Sequence, residues 1–373
     1  MNRREFLKVA GLVGAGVHLG LPCFGEATQR RAKRVVVIHL FGGNDGLNTV
    51  VPCSDANYRR LRPKLALDKD SCLALGSGLY FNPALKPLMP LWQKGLLSVI
   101  NGVGYPNANH SHFLSSDIWN GGGFGQEFGW LGRAADHGRL ATVQLAGLDQ
   151  ARCLLARDTS PLCLDPEHSQ PLELDPNLAL LYGRSPALAK PFSDLEKLNS
   201  GLKHHHCEGE THSAQPLGRS LRWIAELMPE ARIFHTTAGG FDTHSEQLGR
   251  HHQGLYSVAQ SLLEFWKNLE ESGWADSTLV MVFSEFGRRV EENQSGGTDH
   301  GTAGPVLLLG KGIRGGFLGQ YPSLKPSDLV DGDLKYTVDF RSIYSGILER
   351  WLEVPAEPIL GRSQEYDRLR WWV

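Results

Sequence analysis

The chain has 373 residues, with 38 Lys and Arg against 40 Asp and Glu and a formal net charge of −2. This near balance provides no basic field for nucleic acid or anionic lipid, so a nucleic-acid role is disfavoured. An apolar content of 41% is that of an ordinary globular protein with ample material for a core.

The first segment reads Arg3-Arg4-Glu5-Phe6-Leu7-Lys8, then a Gly/Ala-rich apolar stretch from Val9 to Leu21, then Gly25-Glu26-Ala27. A charged start, a modest apolar middle and a small-x-small end predict a signal peptide over 1–27. The paired arginines direct it to the Tat translocon, with a periplasmic or secreted destination. The apolar stretch is shorter than the roughly 20 residues that span a bilayer, so the remaining chain, 28–373, is expected not to be an integral membrane protein once cleaved. Tat passengers cross already folded, which suits a protein carrying a bound metal. Cleavage leaves Cys53, Cys72, Cys153, Cys163 and Cys207. Cys153 and Cys163, ten apart, are the first disulfide pair to test, and the lack of a CxxC disfavours zinc ribbons and thioredoxin chemistry.

Val35-Val36-Val37-Ile38-His39-Leu40 is a continuous apolar run of strand length ending at Gly42-Gly43, as in strands covered on both faces. Pro83 to Lys94 predicts a helix and Leu96 to Val103 a second strand, followed by short helices at Ser111 to Trp119 and Trp130 to His137. Ala231 to Thr236 is another strand. From Ser245 to Glu271, Leu248, His252, Leu255, Val258, Leu262, Phe265 and Leu269 recur at helical spacing. Of His251 and His252, one should be partly buried and one exposed. Strands follow at Leu279 to Phe283 and Val306 to Leu309, and Tyr344, Ile347, Leu348 and Trp351 mark a closing helix. The alternation predicts an α/β fold, a doubly wound, mostly parallel sheet with helices on both faces. Between about 148 and 217 the pattern breaks into Pro-, Ser- and His-containing segments, expected to form an insertion or cap on a single domain. The His204-His205-His206-Cys207 tract within it reads as a solvated loop.

Ligands of open α/β sheets bind beyond the carboxyl ends of the strands. The loops there carry Gly42-Gly43-Asn44-Asp45-Gly46, Asn109-His110-Ser111-His112-Phe113, Gly240-Phe241-Asp242-Thr243-His244, Ser284-Glu285-Phe286-Gly287-Arg288-Arg289 and Gly297-Thr298-Asp299-His300-Gly301. On one edge they would gather Asp45, Ser111, Asp242, His244, Glu285, Asp299 and His300. Mixed oxygen and imidazole ligands favour zinc, manganese or iron over calcium. Each loop has a plainer reading too. Gly42 to Gly46 has the composition of a tight turn, and it is neither a phosphate loop nor a GxGxxG fingerprint. Ser111 sits where an N-cap would, with Ser115, Ser116 and Thr243 as rival nucleophiles. Glu285, ending a buried strand, needs a partner, either a metal or Arg288 or Arg289. Asp242 and His244, two apart, share a side of an extended segment, and Asp299-His300 has the makings of a polar turn.

Together with the Arg3-Arg4 segment and Asp339-Phe340-Arg341, these motifs resemble the bacterial "domain of unknown function 1501" family along nearly the whole chain. That family is in turn similar to the alkaline phosphatase and sulfatase superfamily. The resemblance implies an alkaline-phosphatase-like core with a bimetal site. Asp242, His244 and His300 would hold the first metal and Glu285 the second. Asp45 would bridge toward the nucleophile, a role that falls to Ser111. Arg288 or Arg289 would clamp anionic oxygens. Two departures stand out: Asp242 and His244 are two apart where that superfamily uses four, and Phe286 stands where it has a histidine ligand. Two function classes follow. One is an exported metal-dependent hydrolase of phosphate or sulfate esters; the other is a non-catalytic exported binding protein that keeps the fold without the chemistry. A serine hydrolase ranks below both for want of a G-x-S-x-G elbow.

Overall fold

The computed structural model describes residues 32–145, 150–166, 216–362, 366 and 369–373. The signal segment 1–27 and most of the expected 148–217 insertion, including His204 to Cys207, lie outside the described residues. Twelve strands are described: β1 Arg34–Leu40, β2 Val50–Val51, β3 Leu73–Ala74, β4 Tyr80–Phe81, β5 Leu97–Gly104, β6 Thr142–Leu145, β7 Leu162–Leu164, β8 Ile233–Ala238, β9 Thr278–Phe283, β10 Gly304–Gly310, β11 Gly316–Leu318 and β12 Val338–Asp339. The principal helices are α1 Ala56–Leu61, α2 His112–Gly121, α3 Trp130–Gly138, α4 Pro216–Leu227, α5 Gln247–Ser272 and α6 Phe340–Gly346.

Nine strands form one sheet in the order β11-β5-β10-β9-β1-β8-β6-β7, with β12 pairing to β5. All its pairings are parallel except those of β10, which runs antiparallel to both β5 and β9. β1 is central and its side chains divide between the two faces. Val35 and Val37 join Trp119, Trp130, Ile343 and Tyr344 from α2, α3 and α6. Val36 and Ile38 join Leu221 and Ile224 of α4 and Leu255, Leu262 and Phe265 of α5. A strand buried on both sides can be apolar throughout, and this explains its unbroken run. Each such fully buried side chain contributes roughly 2 kcal/mol before entropy is counted. A small antiparallel sheet, β2-β4-β3, lies apart with its own apolar cluster.

Helix α5 departs from the predicted stripe in its first turn. Gln247 and His251 are buried, whereas Leu248 is half exposed and His252 is exposed. Thr243 and Thr298 donate to Gln247 Oε1 at 3.1 and 2.6 Å, and its Nε2 reaches Asp45. These polar bonds rotate the turn toward the strand ends. The closing helix runs on from α6 as a π-turn over Ile347–Leu352. Cys153 and Cys163 are not bonded to each other. Cys153 is buried, and Cys163 is directed at Pro161 O, 3.9 Å away. No helix among the described residues is long and apolar enough to cross a membrane.

Candidate metal centre

Strands β1, β5, β8 and β9 run in the same sense, so the segments that follow them emerge at one rim of the sheet. Because β10 is reversed, the segment preceding it emerges there as well. Gly42 and Gly43 let the first of these segments lie flat, with φ of 120° and 74°, values that glycine tolerates and other residues rarely do. A Cβ on Gly42 would stand 2.3 Å from Asp242 N, and one on Gly43 would stand 2.4 Å from the Phe286 ring.

At this rim one oxygen is the focus. Asp242 Oδ1 lies 3.1 Å from His244 Nε2, 3.3 Å from His300 Nε2 and 3.6 Å from His112 Nε2. The ligating atoms of His112, Asp242 and His300 all fall within 4.8 Å of one another, and His244 Nε2 is 2.9 Å from His300 Nε2. Each imidazole is held by its other nitrogen: His112 Nδ1 meets Glu285 Oε1 at 2.7 Å, His244 Nδ1 meets Asp299 Oδ1 at 3.2 Å, and His300 Nδ1 meets the His110 carbonyl at 2.6 Å. A carboxylate or carbonyl only accepts, so each Nδ1 carries the proton and each Nε2 turns a lone pair toward Asp242. This is the outer-shell pattern of metal-binding histidines.

Two further observations fit a cation. His112 Nε2 is buried with no hydrogen-bond partner, and buried polar atoms are rarely left so. The lone pairs of His244 and His300 face each other at 2.9 Å, a distance that calls for a proton or a cation beside them. Ligand arms of about 2.0–2.1 Å in a tetrahedron put neighbouring ligand atoms roughly 3.3 Å apart, and the separations of 2.9–3.6 Å bracket that edge.

Electrostatics keep the ligands in their binding forms. Partial burial raises the Asp242 pKa, but the hydrogen bond and charge of Arg288, then His244 and His300, outweigh it and hold the carboxyl at about 2. Burial lowers the pKa of His300, which keeps it neutral. Asp299 is lowered chiefly by a hydrogen bond from Asn293.

Not every residue grouped by the sequence joins this cluster. Asp45 is fully buried beneath it: Arg62 Nη1 meets its Oδ2 at 2.6 Å, Gln247 bonds the same oxygen, and Leu47 N donates to Oδ1 at 3.2 Å. That carboxylate is an anchor for the loop, with its oxygens already engaged. Glu285 turns its oxygens to Gly42 N, His112, His39 Nε2 at 3.1 Å and Ser284 Oγ at 3.0 Å, so its partners are imidazoles where the sequence suggested a second metal or an arginine. Arg288 is also buried. Its guanidinium bonds the carbonyls of Gly42, Gly43, Phe241 and Thr298 and meets Asp242 at 2.5 Å, which sets Asp242 in place and leaves the guanidinium inaccessible as an anion clamp. Phe286 is a wall, its ring 4.9 Å from those of both His112 and His300. Ser111 precedes α2 as its N-cap residue, is exposed, and makes no capping bond with its side chain.

The sequence reading left out His112 and His39. His112 follows the serine that drew the nucleophile assignment, and His39 is hidden inside an apolar strand. Its signal is parity: residue 39 shares a face with Val35 and Val37, and it lands beside Phe283, with ring centroids 4.7 Å apart, one residue short of Ser284-Glu285.

Among solved structures the chain is similar to a protein in the alkaline phosphatase superfamily from Vibrio parahaemolyticus, at 11% identity and TM-score 0.44, covering 98% of this chain and 78% of that one. It is similar to the phosphonate monoester hydrolase of Agrobacterium radiobacter, at 12% identity and TM-score 0.40, covering 88% and 77%. A third is the PsFucS1 sulfatase from Pseudoalteromonas sp., at 12% identity and TM-score 0.39, covering 96% and 74%. No curated protein matches the sequence. Residues 221–360, the part of the chain that carries Asp242, His244, Glu285, Arg288 and His300, match the family described as "Protein of unknown function (DUF1501)".

Proposed function

We propose that the chain is an exported, metal-dependent hydrolase of phosphate or sulfate esters, with one divalent cation held by His112, Asp242 and His300 and flanked by His244. The observation that carries this reading is the convergence of histidine Nε2 atoms on Asp242 Oδ1 while every Nδ1 is tied to an acceptor. Three imidazoles and a carboxylate suit zinc, manganese or iron. When bound, such an ion supplies Lewis acidity toward an ester oxygen and a hydroxyl nucleophile.

The residues around it have separate tasks. Glu285, Asp299 and the His110 carbonyl fix the imidazole tautomers, and Arg288 fixes Asp242. Ser111 is the nucleophile in this reading: its exposed hydroxyl stands beside His112 at the start of a ten-residue helix, where the helix dipole favours developing negative charge. Phe41, 42% exposed with its ring 5.4 Å from that of His112, borders the site with apolar surface that suits an organic ester. Asp45 and Glu285 are both engaged, which favours one metal over two. The N-terminal Arg3-Arg4 segment supports export by the Tat pathway.

The test is a screen of aryl phosphate and aryl sulfate esters with protein loaded with zinc, manganese or iron(II). Turnover that disappears in Asp242→Ala and Ser111→Ala supports the hydrolase. A metal-loaded protein that turns over no ester points to the non-catalytic binding protein, and turnover retained in Ser111→Ala removes the serine from the chemistry.

A further inference from the structure

We propose that Cys53 and Cys72 form a disulfide when the folded chain meets a thiol–disulfide oxidant. The two residues are nineteen positions apart and lie on opposite flanks of the small β2-β4-β3 sheet. Local geometry brings them together. After β2 the chain turns, with Asp55 N donating to Pro52 O at 2.9 Å, and a 3₁₀ turn over Lys69–Ser71 delivers Cys72, whose N donates to Lys69 O at 3.1 Å. Both side chains pack in one apolar cluster with Val51, Tyr58 and Leu324. There the two thiols are neighbours, each acting on the other's proton affinity. Cys153 is buried in a different cluster, on the other side of the fold's main sheet.

The chemistry follows from the unequal exposure of the two sulfurs. Cys72 is partly exposed, while Cys53 is buried. Burial pushes the Cys53 thiol up to about 12 and raises Cys72 as well, so exchange is slow near neutral pH and quickens in alkali. The Cys72 thiolate attacks one sulfur of the oxidant disulfide, forming a mixed disulfide and expelling one oxidant thiolate. Deprotonated Cys53 then attacks Cys72 Sγ and expels the second. The protein gives up two protons and two electrons, and the oxidant disulfide becomes two thiols.

The bond would close the loop that holds α1. That loop supplies Tyr58, whose hydroxyl donates to Asn48 Oδ1 at 2.8 Å, and Arg62, which holds Asp45. A cross-link there would fasten the underside of the rim loop without touching the candidate metal ligands.

The experiment takes the full-length chain, purified reduced, and exposes it natively to oxidised glutathione at alkaline pH. Alkylation and proteolysis without reductant follow. The expected result is a cross-linked peptide pair joining Cys53 to Cys72 and the loss of two titratable thiols, both absent from Cys53→Ser and Cys72→Ser. Recovery of both cysteines as separately alkylated or glutathionylated peptides overturns the proposal. So does a link from either one to Cys23, Cys153, Cys163 or Cys207. Should a serine variant not fold, the wild-type peptide map decides alone.

Discussion

Replacing Glu285 by glutamine tests whether the outer shell controls the candidate metal centre. The wild-type carboxylate is fully buried and accepts from Gly42 N, His112 Nδ1, His39 Nε2 and Ser284 Oγ. Glutamine keeps one acceptor oxygen and turns an amide donor on two of those four groups. Burial would raise the Glu285 pKa, but the hydrogen bond and charge of His39, followed by the backbone and His112, hold it at about 2 against an ordinary 4.5. At about 1.4 kcal/mol per pH unit, that preference for the charged form is roughly 3 kcal/mol, similar to the cost of leaving one or two buried donors unpaired. The same contribution is complete above about pH 4.5 and is lost as pH falls through about 2. Urea unfolding at pH 7 should therefore show Glu285→Gln less stable by roughly 3 kcal/mol, with the gap closing in acid. Zinc titration should show affinity weakened roughly 10–100-fold, as for other outer-shell changes. A variant that matches wild type in both stability at pH 7 and zinc affinity would refute the role assigned to Glu285.

Other expectations separate structural from ligating groups. Asp45→Asn should lose roughly 3–5 kcal/mol by stranding buried Arg62 yet keep its metal; metal loss at unchanged stability would make Asp45 a ligand after all. His235 is buried with both ring nitrogens unpartnered, and burial, then His39, pushes its pKa down to about 3. It stays neutral when folded while the unfolded chain gains a proton below about pH 6.5, so stability should fall as pH drops from about 6.5 toward 3. His235→Leu should flatten that acid slope in a denaturation series and cost nothing at pH 7; an unchanged slope would exclude His235 as its source. Closing the loop from Cys53 to Cys72, roughly 20 residues, should add about 3 kcal/mol, measured as the difference in unfolding with and without reductant; equal midpoints would contradict that figure.

Strand positions were most legible where burial on both faces leaves an apolar run of strand length, as in β1 and β9, and β1, β5, β8 and β9 fall within a residue or two of expectation. The reversal of β10 was not, since strand direction leaves no mark on hydropathy. Within the site, Asp242, His244 and His300 were readable as ligand types on glycine-bearing loops. Asp45 was misgrouped because its partners, Arg62 and Gln247, lie 17 and 202 residues away, and nothing local distinguishes a buried carboxylate that is paired from one that is open. Glu285 did need a partner, as its burial required, but an arginine three residues on was the visible choice while His39 and His112 were the real ones. Arg288 had the charge expected of an anion clamp, and only the fold shows that backbone carbonyls consume it.

The most direct test is elemental analysis of the full-length chain purified without chelator, alongside His112→Ala and Asp242→Ala. The wild type should hold about one divalent transition-metal ion per chain, the stoichiometry of a single mononuclear centre, and both variants should lose it while Asp45→Asn does not. Metal-free wild-type protein that also fails to take up zinc, manganese or iron(II) on titration, or equal metal in all four proteins, would contradict the account.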